Sequence, residues 1–125
     1  MFDPANYPIT IAEMPSATKD LDDTLSEPEK ERLIDWLALH PLSGDIIVGT
    51  NGVRKARWAY GAKGKSGGLR VIYYFRDLNM PIYIIAVYRK NEKLTISMRE
   101  KQMISRLIDD LVRYWADRRA KLGLQ

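Results

Sequence analysis

The sequence predicts a small α+β domain, in which an antiparallel sheet is combined with N-terminal helices and a long C-terminal helix. The chain has 125 residues, 46% of them apolar and 29% charged, a globular balance that suffices for one core. Segments with helical apolar spacing and segments with strand-like alternation both occur. The strand-like segments follow one another in the middle of the chain, which indicates one α+β domain across residues 1–125.

The N-terminal third is predicted to hold a short strand and then one or two helices. In "YPITIAE", Tyr7, Ile9 and Ile11 fall on one side, as in a half-buried strand. The next segment, "MPSATKDLDD", is weakly helical. The segment "SEPEKERLIDWLALHPLSG" is a clearer helix, because Ser26 and Glu29 fit a capping box and the proline and glycine near its end stop the helical pattern.

Three strands are predicted next, in "VRKARWAY", "LRVIYYF" and "IYIIAVY". Their short connections favour an antiparallel meander, with the helices on one face of the sheet. The third segment is apolar at every position, which is typical of a central strand covered on both sides. Alternation in the first segment assigns its side chains to two faces, with Val53, Lys55 and Arg57 on one and Arg54, Ala56 and Trp58 on the other.

The last segment is predicted to be a long helix. Ser97 and Glu100 fit a second capping box at its start. Its apolar residues keep the i, i+3, i+4 spacing of an amphipathic helix: Ile104, Leu107, Ile108, Leu111, Val112 and Trp115.

The chain lacks the residues that several classes of function require. There is no cysteine, no grouping of histidine with acids at metal-ligand spacing and no nucleophile elbow, so neither a metal nor a cofactor is expected. The glycine-rich "GAKGKSGG" lacks the spacing of a phosphate loop and lies between strands, so we interpret it as a hairpin loop. The N-terminus does not resemble a signal peptide, and the longest apolar run, Ile82 to Tyr88, is too short to span a membrane. A cytoplasmic protein is expected.

The net charge of +4 conceals an uneven distribution. Residues 1–31 contain eight acids and two bases, whereas residues 46–76 contain seven bases and no acid. A block of one sign is either an anion-binding surface or a solvated face that promotes solubility.

The residues that could carry chemistry are cations and tyrosines on the predicted strands. Lys55 and Arg57 share a strand face, and Arg70 lies on the next strand with Ile72 and Tyr74. The segment "YRKNEK" ends the third strand and adds further cations and a tyrosine. A basic sheet surface with aromatic residues suits phosphates and stacked bases. A face that binds a protein partner, or simply solvated lysines, are the alternatives.

Two conspicuous residues are assigned structural roles. His40 is expected at a helix end, where a donor complements the helix dipole. Tyr73, with Val71 and Phe75 on the same predicted face, is expected in the core.

At these residues the sequence resembles a known family. "GTNGVRKARWA", "GKSGGLRVIYYF" and "YRKNEK" are similar to segments of the RelE/HigB toxins of type II toxin–antitoxin modules, above all the HigB-like branch. The similarity extends from about Tyr7 to Leu111, and the order and spacing of the three segments make it specific. It implies the same small α+β fold.

The resemblance also implies an activity, the metal-independent cleavage of messenger RNA in the decoding site of the ribosome. The expected partners are the ribosome and a cognate antitoxin, a small helix-turn-helix protein. The ribose 2′-OH attacks the adjacent phosphate, so the site has to stabilise negative charge in the transition state.

The resemblance assigns roles residue by residue. Arg57 and Arg70 match the family's basic strand positions and are expected to bind the phosphate. Lys90 or Lys93 would act as an acid or stabilise charge. Some family members use a histidine or a C-terminal tyrosine, but no histidine lies in the matched segments and Tyr114 lies far along the last helix, so the general base stays unassigned. Further RNA contacts are expected from Arg54, Lys55, Lys63, Lys65 and Tyr88.

Two other functions fit the same fold. A ParE-like toxin would inhibit gyrase, and a non-catalytic relative would only bind RNA or the ribosome. The cations Lys90 and Lys93 after the last strand favour the ribonuclease.

Overall fold

A computed structural model describes residues 10–59, 68–89 and 96–123. The three helices and five strands of these ranges confirm the predicted α+β class and the long C-terminal helix. The elements in chain order are β1 (Ile11–Glu13), α1 (Pro15–Thr24), α2 (Glu27–Leu39), β2 (Asp45–Ile46), β3 (Arg54–Trp58), β4 (Leu69–Tyr74), β5 (Ile82–Arg89) and α3 (Met98–Lys121).

The sheet has the strand order β1-β5-β4-β3-β2. Strands β3, β4 and β5 form the predicted antiparallel meander. The expectation of a purely antiparallel sheet was wrong, because β1 pairs with β5 in parallel. The chain runs from β1 through α1 and α2 before it reaches the meander, so this pairing joins residues about seventy positions apart, such as Ile11 and Ile82. The two-residue strand β2, which no sequence pattern indicated, forms the opposite edge.

Apolar clusters cover both faces of the sheet. One cluster joins α1 and α2 to the side chains of Leu69, Val71 and Tyr73 on β4. The other joins α3 to Ile72 and Tyr74, which point to the opposite side. The prediction that all helices lie on one face was therefore wrong. Strands β4 and β5 carry apolar side chains on both sides, so each side has to be covered.

Local signals in the sequence account for the helix ends. Ser26 and Glu29 form a complete capping box at α2, and Ser97 and Glu100 form a complete one at α3, as predicted. His40 is the C-cap residue of α2, and its backbone N–H donates to the carbonyl of Trp36 at 2.9 Å. Within the described ranges, no helix has the length and apolarity needed to cross a membrane.

Candidate functional site

Three predicted site residues form one row across the sheet. Arg57 on β3 is the direct cross-strand partner of Arg70 on β4, and Arg70 is in turn paired with Tyr88 on β5. All three side chains are on the face that α3 partly covers, because they alternate with residues of the cluster under α1 and α2. We call Arg57, Arg70 and Tyr88 the basic row. The structure thus brings together two of the four predicted catalytic residues.

The two arginines of the basic row differ in exposure. Arg57 is exposed, whereas Arg70 keeps only 9% of its surface accessible. The Nη1 atom of Arg70 is buried and has no hydrogen-bond acceptor within the described ranges. An unsatisfied buried donor costs about 1–3 kcal/mol, and like charges directly opposite each other on two strands add to that cost. The position of Arg70 therefore lowers the stability of the fold. Groups that bind ligands often have such a cost.

Lys55 extends the same surface by one row. It lies two residues before Arg57 on the same face, is half-buried, and is paired with Ile72 on β4 and with Asp45 on β2. Within the part of the chain that the structure describes, neither Lys55 nor the two arginines of the basic row forms a salt bridge within 4.0 Å. Such guanidinium groups offer several donors in a fixed plane that matches phosphate oxygens.

Arg54 was predicted to contact RNA, but the structure places it on the other face of the sheet. Its Nη1 donates to the carbonyl oxygens of Gly44 at 2.8 Å and Leu42 at 3.2 Å. Its cross-strand partner Tyr73 is fully buried, and the tyrosine hydroxyl donates to Pro41 O and accepts from the Gly44 N–H, both at 2.9 Å. The core role predicted for Tyr73 is confirmed. Together these two side chains hold the loop between α2 and β2.

The remaining predicted site residues lie outside the described ranges. These are Lys63 and Lys65 of the glycine-rich loop, and Lys90 and Lys93 after β5. Their roles stay predictions from the sequence.

Two acids of the N-terminal third form salt bridges with a lysine of the same region. Lys30 Nζ lies 2.8 Å from Asp22 and 3.3 Å from Glu13, which joins α2 to α1 and β1. The hydrogen bond to the Asp22 carboxylate raises the pKa of Lys30, and Glu13 adds to the shift. These acids are on the α1–α2 side of the sheet and are engaged there.

One cation near the basic row was missed by sequence reasoning. Lys101, in the first turns of α3, lines a cavity together with Lys55. No local signal in the sequence indicated that α3 begins beside β3.

No family model matches the chain. Within the described ranges, no group of three or more histidine and acidic side chains could hold a metal ion. What the site offers is an exposed guanidinium, a buried guanidinium with a free donor, and a neighbouring ammonium on one surface. This arrangement can bind a phosphate and stabilise charge that develops on it.

Proposed function

We propose that the protein is a toxin of a type II toxin–antitoxin module that cleaves messenger RNA on the ribosome. The observation that carries the proposal is the Nη1 of Arg70, a buried guanidinium nitrogen without an acceptor, directly opposite the exposed Arg57. A phosphate oxygen would supply the missing acceptor. Its negative charge would also reduce the repulsion between the two guanidinium groups. The order of the three sequence segments that resemble the RelE/HigB toxins supports the choice of RNA as the ligand.

In the proposed reaction, the 2′-oxygen of a ribose attacks the adjacent phosphorus and loses its proton. The bond from phosphorus to the 5′-oxygen breaks, and the 5′-oxygen takes up a proton. The products are a 2′,3′-cyclic phosphate and a 5′-hydroxyl end. Arg57 and Arg70 would stabilise the extra negative charge on the phosphoryl oxygens, and Lys90 or Lys93 would protonate the leaving oxygen.

The ribosome has a specific part in this proposal. The basic row contains cations and a tyrosine but no histidine, so the protein contributes mainly charge stabilisation. The ribosome would hold the messenger RNA so that the 2′-oxygen is aligned with the phosphorus, which lowers the need for general-base assistance. The site of action would therefore be the cytoplasm. We expect purified protein to cut messenger RNA bound to ribosomes at least a hundredfold faster than the same RNA free in solution. Equal rates would contradict the dependence on the ribosome.

The test of the proposed function combines induced expression with mapping of RNA ends. The native protein should arrest growth and produce 5′-hydroxyl ends within translated messages. Arg57→Ala should fold normally and lose about a hundredfold in cleavage rate, since one charge-assisted contact in the transition state is removed. Arg32→Ala, an exposed arginine on α2 at the far face of the sheet, is the matched control and should cleave normally.

Other outcomes of this experiment distinguish the alternatives. Growth arrest with intact messages and inhibited gyrase would show that the protein is a ParE-like toxin and not a ribonuclease. Binding to ribosomes without any RNA cleavage would show that the protein is a non-catalytic binding protein. Full activity of Arg57→Ala would show that the basic row is not the active site.

An antitoxin is the second proposed partner. Lys55 and Arg57 form no salt bridge with any residue that the structure describes, so an acidic or wrapping antitoxin segment would suit this surface. The dissociation constant should rise steeply between low and high salt. An affinity that is independent of salt would contradict an electrostatic interface.

A further inference from the structure

A cavity of about 280 Å³ lies between the β2 edge of the sheet and the start of α3. It opens beside the basic row, because Lys55 belongs to its wall and precedes Arg57 by two residues on the same face. Its lining residues are Asp45, Ile46, Ile47, Lys55, Ile96 and Lys101.

The wall of the cavity combines charged and apolar groups. Asp45 and Lys55 are cross-strand partners on β2 and β3, and Lys101 approaches from α3. Within the described ranges none of these three forms a salt bridge within 4.0 Å, so a ligand could engage all of them. Ile47 and Ile96 pack in the apolar cluster under α3 and supply a hydrophobic side.

The cavity and the basic row are separated by two residues along β3, from Lys55 to Arg57. Two residues along a strand span about 6.6 Å, a distance close to the spacing of successive phosphates in an extended RNA strand. A strand whose scissile phosphate lies at Arg57 and Arg70 would thus bring a neighbouring phosphate near Lys55. The base attached to that nucleotide would then reach the cavity.

We propose that this cavity binds the base of a nucleotide next to the scissile phosphate and that Asp45 selects among bases. The inference rests on the proposed function and adds sequence selection to it. Lys55 and Lys101 would neutralise the phosphate of this nucleotide, and Ile47 and Ile96 would contact the base. The Asp45 carboxylate accepts hydrogen bonds only, so it favours bases with an exocyclic amine and disfavours uracil.

The carboxylate also argues against a simple phosphate site. Asp45 would repel a phosphate placed in the middle of the cavity, whereas the two lysines attract one at its rim. A nucleotide satisfies both, because its phosphate and its amino-bearing base edge lie at opposite ends. This separation of charge is the reason for assigning a base to the side of Asp45.

The experiment uses ribosomes that carry a message whose decoding-site codon is varied at one position at a time between C, A, G and U. The native protein should cleave codons with C, A or G at one position about tenfold faster than codons with U. Asp45→Ala should reduce that ratio to near one. Lys101→Ala should slow cleavage of all codons by a similar factor and leave the ratio unchanged, since a phosphate contact carries no sequence information.

Two exposed residues provide matched controls. Asp35→Ala on α2 and Lys121→Ala at the end of α3 should retain both the rate and the base ratio of the native protein. Circular dichroism and thermal unfolding of each variant would establish that the domain is folded. Asp45→Asn keeps a carbonyl acceptor and adds donors, so it should accept uracil better than the native protein does.

The outcomes separate this inference from the proposed function. If the native protein cleaves messages and Asp45→Ala keeps the native base ratio, the cavity does not select a base and the ribonuclease assignment stands. If the native protein does not cleave ribosome-bound messages at all, the proposed function fails, and the base subsite fails with it. If Lys101→Ala and Lys121→Ala are equally active, Lys101 does not contact the bound strand.

Discussion

The two faces of the sheet each carry an arginine, and the two arginines are satisfied very differently. On the face under α1 and α2, Arg54 donates to the carbonyls of Gly44 and Leu42 and so anchors a loop. On the face toward α3, Arg70 is more deeply buried, yet its Nη1 has no acceptor within the described ranges. The same residue type on adjacent strands is thus hydrogen-bonded to a loop on one face and leaves a buried nitrogen without a described acceptor on the other.

The hydrogen bonds of a buried cation indicate whether it stabilises the fold. A buried donor that is paired within the chain stabilises the fold, and its loss costs stability. A buried donor that is left unpaired costs stability and is retained for another reason.

The largest effect is expected for Arg70→Met, which keeps the apolar stem and removes the guanidinium. Cleavage of ribosome-bound messages should fall about a hundredfold, because the charge opposite Arg57 is lost. The free energy of unfolding should stay equal or increase, because an unsatisfied buried nitrogen and a like-charge pair disappear. Urea unfolding and single-turnover cleavage measure the two effects. A variant that is strongly destabilised would show that Arg70 has a structural role.

Tyr73→Phe should lower the free energy of unfolding by about 1–3 kcal/mol. The hydroxyl bonds both Pro41 O and the Gly44 N–H, and its removal leaves the buried Gly44 N–H and the partly buried Pro41 O without this partner. The rate of cleavage by the folded fraction should not change. Chemical denaturation with an activity assay of the native fraction tests the prediction, and a stability equal to that of the native protein would contradict it.

Arg54→Ala should reduce stability by about 1 kcal/mol, since two hydrogen bonds to partly exposed carbonyls are lost. The cleavage rate should remain within about twofold of the native rate, in contrast to Arg70→Met. A loss of cleavage as large as that of Arg57→Ala would support the sequence-based prediction that Arg54 contacts RNA.

The smallest effect is expected for Lys30→Met, less than about 1 kcal/mol, because its acidic partners are partly exposed. The raised pKa of Lys30 sets the sign of the pH dependence. The stabilisation should be complete below the ordinary lysine pKa and should be lost as the pH rises through the higher value of the folded state. Unfolding of both proteins at neutral and at strongly alkaline pH measures this, and a difference that grows with pH would contradict it.

Local patterns were enough to predict a large part of the fold. The alternation in "VRKARWAY" placed Lys55 and Arg57 on one face and Arg54 on the other, and the structure confirms both. The capping boxes at Ser26 and Ser97 predicted where α2 and α3 begin. These features depend on residues within a few positions of each other, so short sequence segments are enough to predict strand faces and helix starts.

The remaining features depend on residues that are distant in the chain. The parallel pairing of β1 with β5 and the approach of Lys101 to Lys55 have no counterpart in any short segment. The same holds for the burial of Arg70, because periodicity assigns a side chain to a face but does not say what covers that face. In the folded chain Arg70 is buried, whereas its cross-strand partner Arg57 is exposed. Burial and hydrogen-bond pairing arise from packing between elements, and for this reason the distinction between Arg54 and Arg70 emerged only once the chain was folded.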